Sequence, residues 1–410
     1  MQSLHLTAGE EGMLGGRDGD GVALAMRVIV GQARISDAPR LVEITSAHVD
    51  SCLYHGQVSL DFAHRLVDLG AKVRVPTTLN VGSTDLLHPE LVRDRDLASA
   101  GRELMAAYVA LGCTPTFTCA PYQLPNRPGL GEHVAWAESN AIVFANSVLG
   151  ARTDRYGDFL DVCAAITGRA PYAGLQTTEA RRGTVVFDCR PLGRFLQSDL
   201  AYPLLGHHVG SVVGAGIPVL VGIPADVSED ELKAFGAAAA SAGRVALFHA
   251  VGVTPEAPAQ VDDLPVHEVD LATLREVRRT LSTFSSGELD AVSVGTPHAS
   301  YAECARLADL VGTGPMLKVP FYLSTGRATR ARAVETGVLQ ALEAAGVTVV
   351  VDTCTYVTSI LSPRWKNVMT NSGKWAHYAP GNINVSAVLG SLEECVASAR
   401  AGRVLLDEIA

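Results

Sequence analysis

Short apolar runs ending in polar, Thr- or Asn-bearing tips recur along the chain, and alanine-rich stretches separate many of them. The runs predict strands at Leu41–Ile44, Val73–Val75, Thr116–Thr118, Val185–Phe187, Val219–Val221, Val245–His249, Ala291–Val294, Val347–Val351 and Val368–Thr370. The alanine-rich stretches predict helices over Ser99–Leu111, Glu231–Ala242, Tyr301–Leu310 and Arg327–Ala345. A further helix is expected near the start, where Thr7 and Glu10 have capping-box spacing. Strands alternating with helices predict an α/β fold with largely parallel sheets. Polar groups should then gather where strands end. Gly- and Pro-bearing segments at 121–131 and 168–183 interrupt the rhythm of the first half, and it becomes regular from about 210 onward. A first region over 1–208 and a second over 209–410 are therefore expected, divided in the glycine-rich run 204–214.

Composition narrows the function classes. At 410 residues, 48% hydrophobic and 19% charged, the chain has ordinary globular character and material for more than one domain. A net charge of -10 opposes general binding to nucleic acid or an anionic membrane, and neither partner is expected. The most basic runs, 275–279 and 327–332, read as the solvated sides of helices. Apolar runs such as Ile217–Ile223 fall far short of the roughly 20 residues that cross a bilayer. The N-terminal sequence is acidic and lacks a secretory pattern, so a cytoplasmic protein is expected. Eight cysteines without a CxxC pair are too few for a disulfide scaffold.

Four stretches could carry chemistry. Residues 136–153 set Glu138, Ser139 and Asn140, then Asn146, Ser147 and Arg152, around an apolar segment. Such groups either brace backbone or grip a small polar substrate. Thr296 and His298 end a strand, and Ser300 with Glu303 caps the helix that follows, whose free amides would favour an anion. Cys119 and Cys354 each lie just past a predicted strand, where distant thiols can converge on iron; Cys113 or Cys304 could add a third ligand or simply be buried. Residues 370–381 collect Lys374, His377 and Tyr378 in a stretch where Gly373 and Pro380-Gly381 argue against a regular element. Gly373-Lys374 lacks the spaced glycines and following hydroxyl of a phosphate loop, which excludes a nucleotide kinase of that type.

Taken together, Glu138–Ala141, Ala145–Thr153, Gly295–His298, Asp352–Cys354, Asn371–Lys374 and His377–Gly381 resemble the large catalytic subunit of the aconitase X family, in order and over almost the whole chain. The resemblance implies an aconitase-like multi-domain α/β fold lacking the small swivel domain, which a separate small subunit would supply as the second chain of a heterodimer. It implies a hydro-lyase that uses an iron-sulfur cluster on Cys119 and Cys354. Archaeal-type members carry Cys at the position of Thr296, so the resemblance points to a [2Fe-2S] cluster here, with a mononuclear iron or a larger cluster as alternatives.

Members of this family dehydrate either cis-3-hydroxy-L-proline or mevalonate 5-phosphate. Thr296 shifts the expectation toward the hydroxyproline reaction, and the absence of a multi-arginine phosphate clamp in the motifs agrees. That reaction removes the C2 proton and the C3 hydroxyl, and its enamine tautomerises to 1-pyrroline-2-carboxylate. Lys374, His298 or Arg152 would neutralise the substrate carboxylate. Glu138, Ser139, Asn140, Asn146 and Ser147 would surround and orient the ring and leaving group. A non-catalytic scaffold or iron sensor that kept the fold is the alternative of a different class.

Overall fold

The computed structural model describes residues 4–312 and 314–409. The chain divides into two compact units, Met1–Thr84 with Asp94–Arg182, and Asp85–Arg93 with Gly183–Ala410. The expected division at 208/209 falls inside a continuous helix, Ala201–Val213. Glycines at 206 and 210 do not break this helix; they let it approach its neighbour, since a Cβ on either would lie about 2.2–2.3 Å from carbonyl oxygens of Phe235 and Ala239.

The first unit opens on the helix Ala8–Leu14 with the expected capping box: the Thr7 hydroxyl accepts from the Glu10 amide at 3.3 Å, and the Glu10 carboxylate accepts from the Thr7 amide at 2.8 Å. Its centre is a three-stranded parallel sheet with Ala47–Val49 between Thr77–Leu79 and Ala135–Trp136. Leu41–Glu43, an expected strand, pairs antiparallel with Arg169–Pro171. Val73–Val75 is not a strand: its amides at 73 and 74 bond the Leu111 and Ala165 carbonyls, and the ladder begins only after Pro76. Thr116–Thr118 also lacks a regular ladder. Pro115 has no amide hydrogen, and the Thr116 hydroxyl takes its place, accepting from the Leu79 amide and donating to the Leu79 carbonyl, each at 2.9 Å.

The second unit contains two parallel sheets. One runs in the order His249–Ala250, Pro218–Val221, Val185–Asp188, Val266–Glu268, so the expected strand over Val245–His249 contracts to its last residue and one more. The other runs Val347–Val350, Phe321–Thr325, Ala291–Ala299, Asn367–Thr370, Ser386–Leu389. Val292, Val294, Phe321, Leu323, Val349 and Met369 pack in its buried core. The helix expected over Arg327–Ala345 is two helices, Arg327–Glu335 and Val338–Ala344, parted at Gly337, whose φ of 82° ends a right-handed run.

Two further expectations fail for identifiable reasons. Residues 373–383 form a helix rather than a loop: the Ser372 hydroxyl caps it through the Trp375 amide at 3.0 Å. Gly373 admits Ala238 and Pro203 closely, while Pro380 is tolerated inside. Nor is Arg278 solvated with the rest of its basic run. It is buried, paired with Glu394 at 2.6 Å and donating to the Leu389 and Asp407 carbonyls. Among the described residues no helix is long and apolar enough to cross a membrane.

Candidate metal centre and polar site

Cys119 stands at the end of the irregular segment that follows Pro115 beside Leu79. The Thr118 amide bonds the Leu79 carbonyl at 3.0 Å, and the Thr118 hydroxyl accepts from the Ala120 amide at 3.1 Å, which fixes the chain on both sides of the thiol. The Cys119 carbonyl accepts from the Asn140 side chain at 3.0 Å.

His298 lies within the register shift between Val294 and Ala299 of its strand, and a ring nitrogen stands 3.2 Å from the Thr353 carbonyl. Cys354 follows Asp352, which is fully buried with φ 63°. The Arg327 guanidinium grips that carboxylate at 2.5 and 2.7 Å, and the Leu86 amide donates to it at 3.1 Å. The Cys354 carbonyl accepts from the Val357 and Thr358 amides, closing a turn behind the thiol.

In the second unit a ligand atom of His298 lies within 4.8 Å of the Cys354 thiol, and both side chains are buried, as is Cys119 in the first unit. A thiol and an imidazole suit a thiophilic transition metal. The pair therefore fits the iron expected from the motifs, with His298 offered as a donor instead of Cys113 or Cys304. Burial pushes both of those thiols up to about 12, as expected of inert core cysteines. Thr296 contributes a buried hydroxyl with no hydrogen-bond partner among the described residues.

The 136–153 motif folds as a capped helix, Ser139–Ser147. Glu138, with φ 72°, turns its carboxylate onto the Asn140 and Ala141 amides at 2.9 and 3.0 Å and accepts from the Ser139 hydroxyl at 3.1 Å. Asn140 is held on both sides, by the Tyr122 hydroxyl at 2.5 Å and by Cys119. Asn146 bridges the amide and carbonyl of Thr153 and accepts from the buried Arg181 at 2.9 Å. Both amides brace the backbone. Ser147 is buried in the last turn. The Arg152 guanidinium donates to the Thr178 hydroxyl at 2.9 Å. Lys374 is buried in the first turn of the helix Gly373–Ile383.

Lys233, Asp230 and Asp50 lie outside the motifs that the sequence singles out. Lys233, 3% exposed, bridges Asp230 and Glu303, and the Ser300 hydroxyl donates to Asp230 at 2.6 Å. At the tip of the strand Ala47–Val49, removal from water and the neighbouring Glu138, Asp161 and Asp158 charges raise the Asp50 carboxyl to about 8, against a bond from Asn80 that favours its ionised form. A lone Asp after a three-residue strand carries no motif signal. Its polar-tip position was the available clue.

The chain belongs to the aconitase X family: the family's first domain matches residues 3–179, its second 183–279 and its third 289–401. Within that family, it is 42% identical to a cis-3-hydroxy-L-proline dehydratase of Hypocrea jecorina, over 97% of this chain and 69% of the relative. A cis-3-hydroxy-L-proline dehydratase of Pseudomonas aeruginosa is 40% identical over 97% of this chain and 70% of its own length. The phosphomevalonate dehydratase large subunit of Thermococcus kodakarensis is 35% identical over 92% and 95%. The crystal structure of Thermococcus kodakaraensis aconitase X in its holo form superposes with a TM-score of 0.88 at 33% identity, covering 96% of this chain and all of that one.

Proposed function

We infer that the chain is a hydro-lyase that dehydrates cis-3-hydroxy-L-proline to an enamine, which tautomerises to 1-pyrroline-2-carboxylate. The observation that carries this reading is the 42% and 40% identity to dehydratases of that specificity over 97% of the chain. The buried His298 and Cys354 pair, with the buried Cys119 thiol as a further donor, supports a metal-assisted elimination. These residues would hold iron, in our reading a [2Fe-2S] cluster, with a single iron as the simpler form. Bound iron supplies Lewis acidity that weakens the carbon-oxygen bond of the leaving hydroxyl.

The remaining roles belong to the chain's own groups. Lys374 provides a buried cation at the positive end of its helix, suited to the substrate carboxylate. Arg152 is a second candidate for that charge, while His298 is assigned to the metal. Glu138 presents a carboxylate that can hold or release a proton near the ring, with Ser139 and Ser147 beside it in the motif. Asn140 and Asn146 keep the Cys119 and Thr153 backbones in place. A separate small subunit would complete the enzyme. Near-complete overlap with a phosphomevalonate dehydratase large subunit supports that partner. We place the reaction in the cytoplasm, where reducing conditions keep ligand thiols free.

The test is turnover by the iron-loaded two-chain complex under anaerobic conditions. Formation of the cyclic imine from cis-3-hydroxy-L-proline, without dehydration of mevalonate 5-phosphate, is expected. The opposite preference contradicts the substrate assignment, and inactivity on both contradicts the lyase reading.

A further inference from the structure

The three-stranded sheet of the first unit brings three acceptors to one end. Strand register sets His48 opposite Trp136 and Val49 opposite Leu79. Continuing each strand past its last pair places Asp50, Asn80 and Glu138 together at the sheet's carboxyl end, where α/β proteins commonly receive ligands. Asp161 is already occupied: its oxygens accept from the Asp50, Ser51 and Val162 amides and the Ser51 hydroxyl. Asp50 is different. Among the described residues, its carboxyl has Asn80 as its donor.

Asn80 supplies the independent sign of a missing ligand. It is 2% exposed, its side-chain nitrogen is used on Asp50, and its side-chain oxygen has no hydrogen-bond partner among the described residues. A buried acceptor without a donor is unfavourable unless a bound group supplies one. The charges acting on Asp50 are those of Glu138, Asp161 and Asp158, all negative. None of these charges is a cation, and the Asn80 oxygen has no donor among the described residues. His48, two residues back, does not supply a cation, because burial lowers its ring to about 3.

We propose that Asp50 and Asn80, beside Glu138, form the subsite that receives the ring ammonium of the substrate. This rests on the amino-acid substrate assigned above and extends it to specificity: a secondary ammonium brings both the positive charge and the two N–H donors these acceptors require. Mevalonate 5-phosphate has neither. On binding, Asp50 gives up its proton to solvent and takes the ammonium as its partner. Proton release therefore accompanies recognition.

The experiment compares two non-reacting ligands of the iron-loaded complex at pH 7: L-proline and tetrahydrofuran-2-carboxylate, in which oxygen replaces the ring ammonium. Calorimetry in buffers of different ionisation heat should show about one proton released with L-proline and none with the ether. Asp50→Asn should abolish that release and weaken L-proline by about 10- to 100-fold, leaving the ether unchanged or tighter. Equal proton release with both ligands, no release with L-proline, or equal loss of both in the variant overturns the subsite. The wild-type calorimetry decides the matter even if the variant does not fold. Turnover separates this proposal from the parent reading: an active hydroxyproline dehydratase with no ammonium-linked proton release loses the subsite alone.

Discussion

Lys233→Met should expose how the His298 tip is held. The lysine joins Asp230, in the first turn of the helix Glu229–Ala242, to Glu303, in the first turn of the helix that begins just after His298. Ser300 reinforces the junction through Asp230. Methionine preserves most of the volume and removes the cation, leaving two carboxylates facing each other without a neutralising partner. Breaking a buried pair in this way costs about 3–5 kcal/mol. Lys233 is only 3% exposed, but Asp230 and Glu303 are 28% and 32% exposed, so screening by water brings the figure toward the lower bound. At about 2–4 °C per kcal/mol, the melting midpoint should fall by about 10 °C.

The pH dependence gives the interaction a second signature. Burial opposes the charged lysine, yet Glu303 and Asp230 raise its pKa above the ordinary value. Its contribution is therefore complete below the unfolded lysine pKa of about 10.4 and is lost as pH rises through the folded value. On the acid side, the deficit of the variant should shrink as Glu303, whose carboxyl burial pushes up, takes a proton, and then further as Asp230 does. Denaturant unfolding of the two-chain complex at pH 7 and pH 4, with iron content measured alongside, tests this. A stability loss below about 1 kcal/mol, or one independent of pH, would refute the reasoning.

Other perturbations probe the site directly. Cys119→Ser and Cys354→Ser should each abolish stable iron binding without unfolding the chain, as shown by metal analysis and circular dichroism; retained iron in either removes that thiol from the ligand set. Arg327→Met leaves the buried Asp352 carboxylate with the Leu86 amide and should lower iron content through displacement of Cys354, a change absent if the ion pair is only peripheral. Glu138→Gln keeps an oxygen to cap Ser139–Ser147, so the fold should persist while kcat falls by about 100-fold or more. Unchanged turnover would reduce Glu138 to a cap. Thr296→Val removes an unpartnered buried hydroxyl and should leave the metal-free protein at least as stable in thermal unfolding, contrary to the loss expected if that hydroxyl braces the fold.

The parallel sheets were legible because strands such as Val347–Val350 and Val219–Val221 are unbroken β-branched and aliphatic runs. Cys119 stands out in the sequence by its polar-tip setting even though no strand precedes it: Pro115 removed the ladder, but the Thr116 hydroxyl kept the segment against Leu79. Local patterns failed where tertiary packing decided the outcome. Gly373 and Pro380 read as breakers, yet a serine cap and tight packing against Pro203 and Ala238 sustain a helix. Arg278 read as solvated because sequence spacing does not reveal Glu394 more than a hundred residues away. Asp50 and Asn80 escaped for a related reason: each follows a three-residue strand, and only sheet register makes them neighbours of the Glu138 position.

X-ray absorption at the iron edge of the loaded complex tests the central claim most directly. Both sulfur and nitrogen scatterers are expected on protein-bound iron, with the nitrogen signal lost in His298→Ala and sulfur diminished in Cys119→Ser and Cys354→Ser. An iron shell without sulfur, or one unaffected by all three substitutions, would contradict it.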